Sequence, residues 1–145
     1  MASLKKFLKD SGFVSVKLKR TPTNHLEIRA TLNGVKGRFI VDTGASNTCV
    51  SLDRAEKFGL VSEASEVKAA GAGAVDMEAR VSGKNALQLG PWKKSRLQVV
   101  LFDLSHVNHA LTTQESGAVD GIIGADILKR GKAVIDYRKY RLYLK

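Results

Sequence analysis

The sequence predicts an all-β fold of the barrel-like kind with a few short helices, and three observations carry that prediction. Apolar residues recur at every second position in a series of short runs, each bounded by turn residues. Asn33-Gly34 falls between two of these runs and is the strongest short hairpin signal, because a two-residue primed turn needs positive φ at both positions. The returning run, Val35 to Val41, leads straight into Asp42-Thr43-Gly44, so a carboxylate stands where a buried strand becomes a loop.

Taken in order, Leu4, Phe7 and Leu8 fall at helical spacing beside lysines and Ser11-Gly12 ends the pattern, which predicts a short helix over residues 3–10 docked on the body of the domain. The period then changes to two, with Val14, Val16 and Leu18 on one face of a strand over 13–19. Thr21-Pro22-Thr23-Asn24 turns the chain. Leu26, Ile28, Ala30 and Leu32 alternate with polar partners before the Asn33-Gly34 turn, and the next strand delivers Asp42. Thr48 to Ser51 reads as another strand, followed by a helix capped by Ser51 or Asp53 and stopped by Gly59.

Val67 to Ala70 and Val75 to Val81 frame a hairpin whose tip is Gly71-Ala72-Gly73. Ala86 to Leu89 and Leu97 to Phe102 are two further strands about Gly90-Pro91, with Trp92 opening their connection and packing in the core or at its rim. Thr112 to Gly117 is a polar loop. Ile122 and Ile123 form a buried strand, Asp126 to Lys129 a short helix ending near Gly131, and Ala133 to Asp136 with Arg141 to Leu144 two last strands around Tyr137-Arg138-Lys139-Tyr140.

Composition narrows the function classes. A chain of 145 residues, 43% of them hydrophobic, closes one core and is too short for two lobes. Its single cysteine, Cys49, excludes an internal disulfide and a cysteine metal cluster; with no histidine near it in sequence it reads as a core residue. His106 and His109 have an i, i+3 spacing but no cysteine beside them, which makes them a surface pair and leaves no metal site. No apolar run has the length of a membrane span, and Lys5, Lys6 and Lys9 interrupt the first ten residues, so a cytoplasmic location is expected. The basic residues behind the formal charge of +10 gather at the start, around Lys93-Lys94 and at the end, alternating with apolar residues as solvent-facing strand positions do; with few aromatics between them they read as a solvated surface, with an anionic partner or acidic substrate as the alternative and nucleic acid not expected.

Asp42-Thr43-Gly44-Ala45 after an apolar strand, together with Val119-Asp120-Gly121-Ile122-Ile123-Gly124 downstream and the glycine-tipped hairpin between them, resembles the single-domain retropepsin-like aspartic peptidases. The resemblance implies a closed barrel over residues 25–145 preceded by an extension over 1–24. Its core would be a ψ-shaped crossing in which Gly124 lets the second strand pass under the Asp42 loop. It assigns Asp42 as catalyst, Thr43 as a hydroxyl bracing two loops, Gly44 as a backbone contact, Ala45 and Ser46 as the rest of the active loop, Ile122, Ile123 and Gly124 as its support, and Gly71, Ala72 and Gly73 as a flap over an extended peptide.

Peptide hydrolysis by carboxylates needs two of them, one ionised to take a proton from water and one protonated to polarise the scissile carbonyl. With one Asp-Thr-Gly per chain, the second comes from another copy, giving a homodimer and a reaction that needs no cofactor. An intramolecular pair with Asp120 and a non-catalytic peptide-binding or dimerising module are the competing readings. Ala45, where pepsin-like chains carry serine, removes a hydroxyl donor and should make the pair less acidic. Ser46 and Ala125 stand where the retroviral enzymes carry an acid and an arginine that bridge. Arg141 to Leu144 or the N-terminal extension is expected to supply the dimer contact.

Overall fold

Strand pairing across the whole chain, more than any single element, decides where Asp42 sits. The structure, a computed structural model, describes residues 3–64, 79–113 and 117–145. Helix α1 spans Leu4–Asp10; the Ser3 hydroxyl accepts from the Lys6 N–H at its N-terminus, and Leu8 is its buried residue. The expected docking is therefore narrow: Phe7 remains 62% exposed. The strand expected over 13–19 breaks in two, β1 (Val14–Lys17) and β2 (Lys19–Arg20), because Leu18 donates its N–H to Tyr140 O at 2.9 Å and each half joins a different sheet.

β3 (Leu26–Leu32) and β4 (Val35–Val41) pair in antiparallel register from Leu26↔Val41 to Leu32↔Val35. Asn33 and Gly34 have φ of 52° and 82°, the primed turn the dipeptide predicts. The Asn33 side chain also donates to Phe58 O and Asn85 Oδ1 and accepts from the Ala86 N–H, so the turn is tied to a distant strand. β5 (Cys49–Ser51) follows the Asp42 loop.

After β5 the expected helix is replaced by one 3-10 turn, Leu52–Arg54. The Ser51 hydroxyl faces the Asp53 carboxylate instead of a helix N–H, so nothing caps a longer helix. Gly59, at φ 63°, ends the segment as expected. β6 (Glu63–Ala64) pairs with the start of β7 (Arg80–Leu89). The hairpin tip at Gly71, Ala72 and Gly73 lies outside the described residues.

β7 and β8 (Trp92–Phe102) are longer than the alternation suggests, because bulges near Ser82, Asn85 and Leu87 shift the period. Trp92 is the first residue of β8 and is buried, not part of a connection. Helix α2 (Ser105–Thr113) occupies the start of the expected polar loop. Its Leu111 is buried against Ile40 and Val119.

β9 (Gly121–Ile123) runs parallel to β4 on one side and antiparallel to β5 on the other, so a strand from late in the chain lies between two consecutive early ones. That is the expected ψ-shaped crossing. Helix α3 (Ala125–Arg130) ends at Gly131, and β10 (Val134–Asp136) and β11 (Arg141–Leu144) complete the chain.

Among the described residues, β3, β4, β9, β5, β8 and β7 form a closed ring, sealed by pairing of Thr31 and Leu32 with Gln88 and Leu87. Ile28, Phe39, Val50, Leu101 and Ile123 fill the main core. A second sheet orders β1-β11-β10. β11 is therefore central, with both its edges satisfied inside its own chain, and cannot offer an edge to a partner as expected for Arg141 to Leu144.

Candidate active site

Asp42 is the first residue after β4, and its N–H donates to Ile123 O at 3.0 Å, extending the β4–β9 ladder by one bond. From there the chain turns sharply. Ala45 N–H donates to Asp42 O at 3.2 Å, and Gly44 N–H donates to Asp42 Oδ1 at 2.9 Å. A Cβ on Gly44 would lie 3.2 Å from that same oxygen, closer than such contacts ordinarily run, so glycine is what lets the peptide approach the carboxylate. Asp42 is half-buried, while Thr43, Gly44 and Ser46 are exposed beside it.

The loop is held from below by β9 and α3. Ala45 is buried and its carbonyl accepts from Ala125 N–H at 2.7 Å. At Gly124 an added Cβ would sit 2.7 Å from the Asn47 carbonyl and 2.8 Å from Ala45 O, so the crossing requires glycine there. Ile122 packs with Ala45 and Cys49 under the loop, and Ile123, one position on, points into the main core.

Sequence reasoning missed the strongest tie in this region. Asp126 Oδ1 accepts from Thr48 N–H at 2.9 Å and from Thr48 Oγ1 at 2.7 Å, and Thr48 Oγ1 in turn accepts from Gly124 N–H at 3.0 Å. This network joins the far end of the Asp42 loop to the first turn of α3, one residue along from Ala125 and two from Ser46. With Ser46 and Ala125 unable to form an acid–arginine bridge, Thr48 and Asp126 tie the same two segments together. An acid in the first helical turn was its visible signal, read only as a helix start.

Asp120 is placed elsewhere. Its N–H donates to Arg38 O, and its Oδ2 accepts from Arg38 N–H at 2.9 Å, four residues before Asp42 and so about 13 Å down the strand. Lys57 Nζ lies 3.1 Å from both carboxylate oxygens and Arg54 Nε 3.5 Å from one. Asp120 is a buried, charge-compensated structural group, and the intramolecular pair with Asp42 is excluded by distance. Arg38 itself pairs with the buried Glu27.

Cys49 lies in the cluster beneath the loop, and burial, with Asp126 and Asp42 nearby, pushes its thiol up to about 12. It is a packing residue. His106 and His109 are exposed on α2. Among the described residues no group of three histidine, cysteine or acidic side chains is placed to hold a metal. Asp103, fully exposed, accepts from Ser105 N–H at 2.8 Å at the start of α2, and that bond holds its carboxyl below the usual carboxylate range.

A cavity of about 340 Å³ opens beside Asp42. Its floor is Ile40, Val107, Leu111 and Ile122, with His25 and His106 also lining it. On the other side of the loop, Thr43 borders a second groove shared with α3 and β10. A carboxylate held by a backbone N–H at a strand end, with an apolar pocket beside it and a glycine crossing below, is the arrangement the sequence leads one to expect around Asp42.

Comparison with known proteins gives the family and the fold. Residues 28–127 match the family model described as aspartyl protease, and the chain belongs to that family. No sequence match was found among curated proteins. Among solved structures, the chain is similar to a retropepsin-like aspartic protease from Rickettsia conorii, at 23% identity and TM-score 0.60, covering 92% of this chain and 88% of the other. It is also similar to the retroviral protease-like domain of Ddi1 from Leishmania major, at 22% identity and TM-score 0.59, over 88% and 90% of the two chains. The protease of EIAV, solved with an inhibitor, aligns at 13% identity and TM-score 0.56 over 76% and 90%. These likenesses show a retropepsin-like fold. Among the described residues no helix is long and apolar enough to cross a membrane.

Proposed function

We propose that this chain is an aspartic endopeptidase whose active site forms when two copies bring their Asp42 carboxylates together. The observation that carries the reading is the setting of Asp42: half-exposed at a rigid strand end, oriented by the Gly44 N–H, and flanked by an apolar cavity, while the other acid of the paired motifs is committed to Arg38, Lys57 and Arg54. Two like charges a few ångströms apart cannot both ionise, so the pair holds one proton between them and titrates as a unit. The ionised member takes a proton from water as the water attacks the scissile carbonyl. The protonated member donates to the carbonyl oxygen, and a proton then passes to the leaving nitrogen.

In this reading the pocket of Ile40, Val107, Leu111 and Ile122 receives an apolar side chain of an extended peptide. Thr43 braces the two loops across the axis. Gly71, Ala72 and Gly73, outside the described residues, keep in this reading the substrate-binding role that the resemblance assigns them. The experiment is a peptide-library digest with wild type and Asp42→Asn beside a sedimentation measurement of mass. Cleavage by a dimer, lost on substitution, supports the reading. Absence of cleavage by either protein at any pH tried favours the non-catalytic binding module.

A further inference from the structure

The outer face of β2, β3 and β4 carries more positive charge than its own side chains neutralise. In the strand register Lys19 stands opposite Glu27 and Arg29 opposite Arg38, and because alternate residues share a face, these four lie on the same one. Two arginines directly opposite one another repel, a cost that the pairing of the strands does not explain. Glu27 is the one acid among them, and it is buried and committed to Arg38. Among the described residues Lys19, Arg20 and Arg29 form no ion pair.

A cavity of about 410 Å³ opens on this face, with Lys19, Arg20, Glu27 and Arg38 in its lining. Arg38 is fixed there by Glu27 and by the Ala118 carbonyl, to which its Nη1 donates at 3.3 Å. The cavity adjoins the apolar pocket beside Asp42. Thr21 and Pro22 border the one, Thr23 and His25 the other, and the turn between them is closed by Thr21 N–H donating to His25 O at 2.9 Å and His25 N–H to Thr21 Oγ1 at 3.1 Å. Lys19, Glu27 and Ile40 are successive partners across the sheet, so Lys19 lies two strand spacings, about 10 Å, from the pocket floor at Ile40. An extended peptide covers that span in about three residues.

We infer that this cavity is a distal specificity subsite that takes an acidic side chain of the substrate, about three residues along from the side chain seated in the apolar pocket. The inference rests on the peptidase reading above and narrows its substrate class to peptides in which an acid flanks an apolar residue. Charge complementarity and continuity with the pocket beside Asp42 select that occupant. Three cations against one carboxylate, already paired, leave the lining with an excess of positive charge. No aromatic side chain lines the cavity to stack a nucleic-acid base. The exposed large hydrophobic side chains among the described residues, such as Phe7 and Tyr137, line neither cavity, so a lipid surface would find nothing to hold there.

The test takes one cleavable sequence from the library digest and compares its glutamate and glutamine forms at that position, on each side of the scissile bond in turn. The proteins are wild type, the double variant Lys19→Gln with Arg20→Gln, and Lys93→Gln, which removes a charge at the β7–β8 turn instead. All three lysine and arginine side chains are exposed, so the changes spare the fold, and circular dichroism checks this. We expect wild type to favour the glutamate form about fivefold in kcat/KM at low salt, and that ratio to shrink toward unity at about 0.3 M salt. The double variant should lose the preference and Lys93→Gln should keep it. Equal cleavage of both forms by wild type, or a preference that survives in the double variant, overturns the subsite and leaves the peptidase reading standing. A ratio that falls as far in Lys93→Gln as in the double variant also overturns it, because net charge alone would then be the cause. A wild type that cuts nothing in the library at any pH tried overturns the peptidase reading and the subsite with it.

Discussion

Replacing Asp126 by alanine tests whether the Asp42 loop is held by the network that sequence reasoning missed. The Asp126 carboxylate accepts two bonds from Thr48, whose side chain is 1% exposed. Without it, the Thr48 N–H and hydroxyl, both on a buried residue, lose their acceptor, at about 1–3 kcal/mol for each such buried donor. The hydroxyl keeps its role as acceptor for Gly124 N–H, so the lower part of that range applies and the expected loss is about 3 kcal/mol. Against a total stability of roughly 5–15 kcal/mol for a domain, that is a large fraction.

In urea the unfolding midpoint should fall by about 1–3 M. Asp126→Asn retains an acceptor oxygen without the charge and should lose only about 1 kcal/mol. Combining Asp126→Ala with Thr48→Val in a double-mutant cycle should give a coupling of about 1 kcal/mol or more. Additive effects in that cycle, or an Asp126→Ala midpoint within error of wild type, would show that the network contributes nothing and that the loop is held by packing alone.

Gly124→Ala is expected to destabilise by about 3 kcal/mol or more and to reduce cleavage further than its loss of stability explains, because the new methyl pushes on the backbone at Asn47 and Ala45; chemical denaturation and kcat/KM measure the two. Ala45→Ser should move the pH optimum of cleavage downward by restoring a donor near the ionised carboxylate, and an unchanged profile counts against that role. Cys49 should resist alkylation at pH 8 in the folded chain and react only on unfolding. Because its folded thiol is raised from 9.0 to about 12, the unfolded chain releases that proton first, and this group's effect is a loss of stability as pH climbs from about 9 toward 12, readable as a falling thermal midpoint.

The strand pairing explains why a short chain can present a rigid carboxylate. Asp42 is joined to β3 and β9 through β4, and its loop to α3 through Ala45, Thr48 and Gly124. Misplacement by even an ångström lowers catalytic rates steeply, which gives this bracing its functional weight. The loop is nonetheless open outward at Thr43 and Gly44, which the proposed sharing of the site between two copies needs.

What the sequence by itself determined was local. The Asn33-Gly34 turn, the alternation of β3 and β4 and the ending of β4 at Asp42 were legible, because backbone dihedral preference and side-chain period act between neighbours, whereas the need for glycine at Gly124 comes from Asn47 and Ala45 across the crossing. Helix length after Ser51 was misread, since a hydroxyl can turn to Asp53 as readily as to a helix N–H. The period of β7 was blurred by its bulges. What only the tertiary structure decided were partnerships between distant residues: Asp120 with Lys57, Arg54 and Arg38, Thr48 with Asp126, Asn33 with Asn85, and β11 taking the centre of its sheet. Such contacts form only once loops of tens of residues have closed, so their geometry is a property of the assembled barrel, and no window along the chain contains it.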